Sequence, residues 1–312
     1  TTTTVADDVA RLPLRGTPVP FGFDGTRPAM VVKLDNHPDA RPQSGLNEAD
    51  IVFEENVESL TRFAAVFHST DANPVGPIRS GRTQDVELLA PFLNPMFVWS
   101  GGNARVTQAI RGSGMFQIDQ TVGLGVMYRR RGRNNPHDLY ADMSKLYGLR
   151  PDSALPPPAQ FSYLADDTEA SGDQATGVKV SMDGVRVLWE WDAASSTYLR
   201  QTDGKAHKDD NGGAQWSTEN VVVLTVVYRQ SAADVRSPEA QTTGSGDVVV
   251  LSGGRVRTGR WTRDNQLVPF SLTDADGAVI ELTPGRTVVE LARANKTAVV
   301  PAGTAVADVA YP

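Results

Sequence analysis

Several short segments in the first half of the chain gather residue types that hold or move charge. Asp35-Asn36-His37-Pro38 directly follows the apolar run Ala29–Leu34, and the stretch Ala40–Leu46 after it adds Arg41 and Gln43. Polar groups at the exit of a strand in an α/β layer lie where ligands usually bind. The same tetrapeptide also suits an Asx-turn closed by an extended His37-Pro38 bend, and both readings stay open. Next come Glu54-Glu55-Asn56-Val57-Glu58 and Thr61-Arg62-Phe63. Glu54 and Glu58 share a face in a strand and in a helix alike. A strand separates them by about 13 Å, at roughly 3.3 Å per residue, outside the ~5 to 9.5 Å of paired glycosidase carboxylates, whereas one helical turn gives about 6 Å. Ile51-Val52-Phe53 favours the strand, so these carboxylates are expected to be solvated or to partner arginines rather than to work as an acid/base pair.

The sharpest feature is Val75-Gly76-Pro77-Ile78-Arg79-Ser80-Gly81-Arg82, leading into a helix expected to begin near Thr83. Ser80 is read as its cap, and the free N–H groups of a helix start, together with the forks of Arg79 and Arg82, suit a phosphate or carboxylate. A capped helix with two surface arginines is the competing reading. Further on, Arg129, Arg130, Arg131 and Arg133 place four guanidinium groups within five residues, just before Asn134-Asn135-Pro136-His137-Asp138. Like charges so close need solvent or bound anions. An exposed loop satisfies that need; folding toward Arg41, Arg62, Arg79 and Arg82 would instead build a positive pocket, and this convergence is the central expectation.

Other chemistries find little support. There is no Gly-x-x-x-x-Gly-Lys-Ser/Thr and no Gly-x-Gly-x-x-Gly after a strand, and no Gly-x-Ser-x-Gly for a serine hydrolase. The four histidines, His37, His68, His137 and His207, show none of the usual metal-binding spacings, although the first three can meet in space beside Asp35 or Glu54. No metal and no cofactor is expected. The absence of Cys excludes disulfides, thiol nucleophiles and thiolate metal sites. Trp189 and Trp191 share one face of a strand; such rings can stack on sugars, but core filling is the favoured reading.

The elements that must position these residues follow from length and pattern. A chain of 312 residues fits two domains better than one core. The formal charge of −7 is uneven: residues 1–150 hold 16 basic and 16 acidic side chains, and residues 151–312 hold 14 and 21. An acidic chain with a single basic run is not expected to bind nucleic acid. Apolar runs such as Val221–Leu224 fall far short of the roughly 18 residues that span a bilayer. Thr1–Pro20, with no periodicity, reads as part of a tether, and Pro156-Pro157-Pro158 as a stiff break. The expected division is a tether over 1–26, an α/β domain carrying the candidate site over 27–150, a Pro-rich linker over 151–175 and a mostly β domain over 176–312. In the first domain, Ala29–Leu34, Ile51–Glu55, Arg62–His68 and Met96–Trp99 read as strands, and Arg82–Phe92 and Ala104–Ile110 as helices. In the second, β-prone runs from Val178 to Leu291 alternate with turn signals such as Asp203-Gly204, Gly253-Gly254 and Asp276-Gly277. The fold class is thus α+β or α/β: a mixed N-terminal domain followed by a mostly β C-terminal one.

Asp35–Pro38, Ala40–Leu46, Ala49–Glu55, Thr61-Arg62-Phe63 and Val75–Arg82 together resemble the N-terminal domain of the YerB-like family of bacterial lipoproteins. Asn220–Leu224, Gly253-Gly254, Gly259-Arg260-Trp261 and Pro284-Gly285 are similar to that family's C-terminal domain. The resemblance implies an exported, extracytoplasmic protein, held at the membrane through a lipid on a cysteine upstream of Thr1, and it carries no established activity. Two functions are therefore expected as alternatives. The first is a non-catalytic envelope protein that binds an anionic or saccharide envelope ligand, or an envelope protein, through Asn36, Arg41, Glu58, Arg62, Arg79, Ser80, Arg82 and Arg130. The second is an envelope hydrolase or transferase in which Asp35 or Glu54 acts as base and His37 or His137 shuttles protons, with arginines stabilising developing negative charge.

Overall fold

The computed structural model describes residues 10–312. Its N-terminal half carries strands β1 (Met30–Asp35), β2 (Ile51–Val57), β3 (Leu60–Phe67), β4 (Met96–Val98), β5 (Phe116–Ile118), β6 (Met127–Arg129) and β7 (Leu139–Ala141). Three short helices belong to the same half: α1 (Gln84–Leu89), α2 (Ala104–Arg111) and α3 (Met143–Tyr147). The C-terminal half is built from β8 (Asp173–Met182), β9 (Val185–Asp192), β10 (Thr197–Thr202), β11 (Lys205–Ala206), β12 (Ser217–Thr218), β13 (Asn220–Thr225), β14 (Val227–Gln230) and β15 (Pro238–Gln241). It continues with β16 (Gly244–Ser252), β17 (Arg255–Arg263), β18 (Ser271–Thr273), β19 (Thr287–Ala292) and β20 (Thr297–Pro301). A mixed N-terminal half and a mostly stranded C-terminal half are what the patterning predicts.

One sheet crosses both halves, in the order β11-β10-β9-β8-β17-β16-β13-β19-β2-β3-β1-β4-β5. The join is parallel: β19 pairs β2 with Glu290 opposite Glu54, and β13 pairs β19. β2 and β19 are buried along their whole length, as strands covered on both faces are, so the carboxylates they carry, Glu54, Glu55 and Glu290, are buried with them. Residues alternate between two cores. Val32, Leu34, Val52, Ala65 and Val288 face one; Val31, Ile51, Phe53, Ala64 and Val289 face the other, beneath α1 and α2.

The described part of the expected tether is packed rather than free. Leu12 and Leu14 are buried, Tyr163 donates its hydroxyl to the Leu14 carbonyl at 2.7 Å, and Arg15 pairs with Asp50. Residues 1–9 lie outside the described residues. The Pro-rich connection also lies against the body, with Phe161 buried and Tyr163 bridged to Leu282. Helix α1 begins at Gln84 with Thr83 at its N-cap position and no side-chain cap, so Ser80 caps no helix. α2 is capped by Asn103, whose side chain accepts from the Val106 N–H at 2.9 Å, the bond that caps are selected to make.

Candidate functional site

The site is built where β1 ends. β1 and β3 are antiparallel with Asp35 directly opposite Arg62, so the two side chains stand on one face at cross-strand distance. The segment Pro77–Arg79 runs along the other side of β1: Asp35 N–H donates to the Pro77 carbonyl at 3.0 Å and Arg79 N–H to the Lys33 carbonyl at 2.8 Å. That segment is itself held by Ile78 N–H donating to Leu139 at 2.7 Å, which brings the loop before β7, and His137 with it, to the same place.

Four donors converge on the Asp35 carboxylate, whose side chain is 1% exposed. Arg62 reaches Oδ1 and Arg79 Nε reaches Oδ2, each at 3.1 Å. His137 Nδ1 lies 2.7 Å from Oδ2, and His37 donates its backbone N–H to Oδ1 at 3.1 Å. Burial pushes this carboxyl up, but Arg62, the His137 bond, the His37 N–H and Arg79 together hold it below its ordinary value. The carboxylate is therefore the acceptor and His137 carries its proton on Nδ1, which points Nε2 away from Asp35. The His37 and His137 rings stack at 4.6 Å with a 14° interplanar angle. Arg82 completes the cluster: it pairs with Glu58 at 3.3 Å, and Ser237 donates to the same carboxylate oxygen at 2.8 Å. Burial pulls the Arg62 guanidinium down to about 10 against the attraction of Asp35, with Arg82 and Arg79 adding to the fall. The Nε groups of Arg62 and Arg82 are buried without a partner among the described residues. Three guanidinium groups and two imidazoles thus meet three carboxylates, Asp35, Glu58 and the exposed Asp39 beside His37.

The expected convergence of arginines is partial. Arg62, Arg79 and Arg82 come together, whereas Arg41 turns to Asn36 at 3.0 Å and Asp203 at 3.2 Å. Arg130 pairs with Asp210 at 2.7 Å and lies over the Tyr140 ring. Arg133 donates to the carbonyls of Ala40, Arg41 and Pro42, and Arg129 pairs with Asp138. The basic loop therefore clamps the Ala40–Pro42 turn instead of lining the cluster. Asn36 is buried and structural, donating to Glu54 and Thr61 while accepting from Arg41 and Gln43.

Glu54 leaves the list of candidate bases. It is fully buried and its carboxylate is taken by Thr61 at 2.6 Å, Asn36 at 3.2 Å and Arg200 at 2.6 Å. Arg200 spans Glu54 and Glu290, with Glu290 also accepting from Trp189 Nε1 at 2.8 Å. Its guanidinium packs against Trp216, Trp189 and Phe63. Burial and the neighbouring Glu54 drive Glu290 well above the usual carboxylate range. Glu58 lies beyond β2 in the following turn, so Glu54 and Glu58 form no carboxylate pair.

Sequence reasoning missed Arg200, Glu290 and Lys33. The signal for two of them is present: Glu290 interrupts Val288-Val289 and Leu291-Ala292, and Lys33 interrupts Val31-Val32 and Leu34, and a charge inside a buried strand demands a partner. Lys33 finds Glu55 and Asp85; burial pulls its ammonium down to about 8 against the pull of Asp85. His37, Asp39 and His137 bring one ligand-type atom each within 4.8 Å of one another. Their imidazoles are stacked face to face, and His137 Nδ1 is already bonded to Asp35.

Both halves of the chain have counterparts among known proteins. Residues 16–154 match the model for the N-terminal domain of a protein family of unknown function, DUF3048, and residues 178–289 match the model for its C-terminal domain. The chain is 28% identical over 295 residues to "Putative lipoprotein YerB" of Bacillus subtilis (strain 168), an alignment covering 90% of this chain and 86% of that protein. A crystal structure of YerB protein from Bacillus subtilis superposes with a TM-score of 0.79 at 22% identity, covering 93% of this chain and 99% of the other, which extends the likeness to the fold. Both domain models fall on the two halves described above, in order, and the chain belongs to the DUF3048 family.

Proposed function

We propose that this protein is an extracytoplasmic, lipid-anchored ectodomain that binds an anionic envelope ligand at the Asp35 cluster without transforming it. The observation that carries the reading is the concentration of donors at the end of β1: Arg62, Arg79 and Arg82, with His37 and His137 beside them, meet the carboxylates of Asp35 and Glu58, and the exposed Asp39 lies against His37. Guanidinium groups offer paired donors that match the oxygens of phosphate or carboxylate. Arg79 and His37 retain appreciable exposure, with side chains 27% and 38% accessible, so the cluster meets solvent on one side. The membrane-anchored location rests on the lipoprotein description of the Bacillus subtilis relative.

The test is retention of a phosphate-bearing polymer, with a glycerol-phosphate oligomer and inorganic phosphate as probes. The double variant Arg79→Gln, Arg82→Gln loses retention while its melting temperature stays within a few degrees of wild type; equal binding by both proteins overturns the reading.

One observation favours a second reading. The Asp35–His137 bond orients an imidazole beside Arg62 and Arg79, the arrangement a phosphoester hydrolase or transferase needs for a general acid or base beside a charge-stabilising clamp. Turnover of a phosphodiester that disappears in His137→Asn identifies it.

A further inference from the structure

The C-terminal half contains a concavity remote in chemistry from the Asp35 cluster. β8 pairs with β17 over two residues only, Gln174 with Arg255 and Asp173 with Val256, and then passes to β9 and β20. Where the ladders part, a cavity of about 650 Å³ opens between the start of β8, the Gly253-Gly254 turn joining β16 to β17, and the Ala302-Gly303 turn after β20. That volume lies within the roughly 300 to 1,000 Å³ of small-molecule sites.

Trp191 forms part of the wall. Its ring is fixed from two sides: Tyr198 packs 4.8 Å away, and Gly254 lies so close that a Cβ there would stand 2.8 Å from the indole. Gly254 also has φ +74, a conformation that favours glycine. The Tyr198 hydroxyl locks the turn, accepting from Gly254 N–H at 3.0 Å and donating to the Arg255 carbonyl at 3.4 Å. Trp191 differs in this from Trp189, which is buried and bonded to Glu290. Neutral hydrogen-bonding groups complete the lining, among them Gln174, Thr176, Ser196 and Thr283, and its only charged side chains are Glu169 and Arg255. Those two face each other at 3.9 Å, which leaves the cavity without net charge.

We propose that this cavity binds a neutral oligosaccharide, with Trp191 as the stacking platform. A sugar ring presents an apolar face bordered by hydroxyls that both donate and accept; a half-buried indole ringed by amide and hydroxyl side chains matches that surface, and an anion finds no surplus cation here. The proposal is independent of the Asp35 cluster.

Titration of the full chain with cellotetraose, maltotetraose and chitotetraose, read by tryptophan fluorescence and calorimetry, tests it. Saturable binding of at least one of the three is expected. Trp191→Ala weakens that binding about tenfold or more. Ala302→Arg, at the exposed rim, sets a long charged side chain at the cavity mouth and also weakens binding, so the result does not depend on Trp191→Ala folding. Arg79→Gln with Arg82→Gln leaves it unchanged. No saturable binding of any of the three sugars, or wild-type affinity in Ala302→Arg, overturns the proposal.

Discussion

His137 donates from Nδ1 to the Asp35 carboxylate at 2.7 Å, and the same carboxylate receives Arg62 and Arg79, so one buried anion fixes an imidazole and two guanidinium groups. This makes Asp35→Asn a discriminating variant. If the cluster only binds anions, removing its central negative charge leaves affinity for inorganic phosphate equal or higher, at a stability cost of up to about 3 kcal/mol from the unpaired arginines. If it is catalytic, turnover falls by about a hundredfold or more as His137 loses its orienting partner. Phosphate titration and phosphodiesterase assays on the same preparation separate the two.

The Glu54–Arg200–Glu290 triad predicts an asymmetry. Burial and the neighbouring Glu54 push Glu290 well up, and Arg200 stands closer to Glu54, at 2.6 Å, than to Glu290, at 3.0 Å. Glu290→Gln keeps an acceptor for Trp189 and Arg200 and is expected to cost under about 1 kcal/mol at neutral pH. Glu54→Gln leaves Arg200 without its anion and costs about 3 to 5 kcal/mol. Urea unfolding of the two variants checks the order; equal costs contradict the asymmetry.

His207 predicts acid sensitivity. Burial, with Arg200 and Arg41 nearby, drives its imidazole well below the ordinary value, and it sits neutral between Thr202 at 2.8 Å and Gln43 at 2.7 Å. As pH falls through about 6.5 the unfolded chain takes up a proton that the folded chain refuses, so this residue's contribution to stability falls, by up to about 1.4 kcal/mol per pH unit. His207→Gln is expected to flatten the fall in urea midpoint between about pH 6.5 and 5. An unchanged slope contradicts it.

Much of this fold is legible in the sequence because its signals are local. Short β-prone runs give β1 to β4 within a residue or two, and apolar residues at helical spacing give α2. The tether reading failed at Leu12 and Leu14 because their burial depends on residues from Asp50 to Tyr163, far along the chain. The site was half legible for a similar reason. Asp35, Arg62 and Arg79 lie on or beside strands whose register can be argued, so their meeting follows from the sheet. Arg41, Arg130 and Arg133 sit in loops, and their partners Asp203 and Asp210 belong to the other half of the molecule; no pattern in one segment reveals an acceptor in another. Glu54 looked available only because Arg200 and Glu290 come to it across the β2–β19 join.

Arg62, Arg79 and Arg82 are proposed to hold an anion beside Asp35. The most direct measurement is calorimetric titration of the wild-type protein and the Arg79→Gln, Arg82→Gln variant with a glycerol-phosphate oligomer at low and high salt. Wild type is expected to show saturable, salt-weakened binding and the variant none while still melting within a few degrees of it; identical isotherms for the two proteins overturn the anion site.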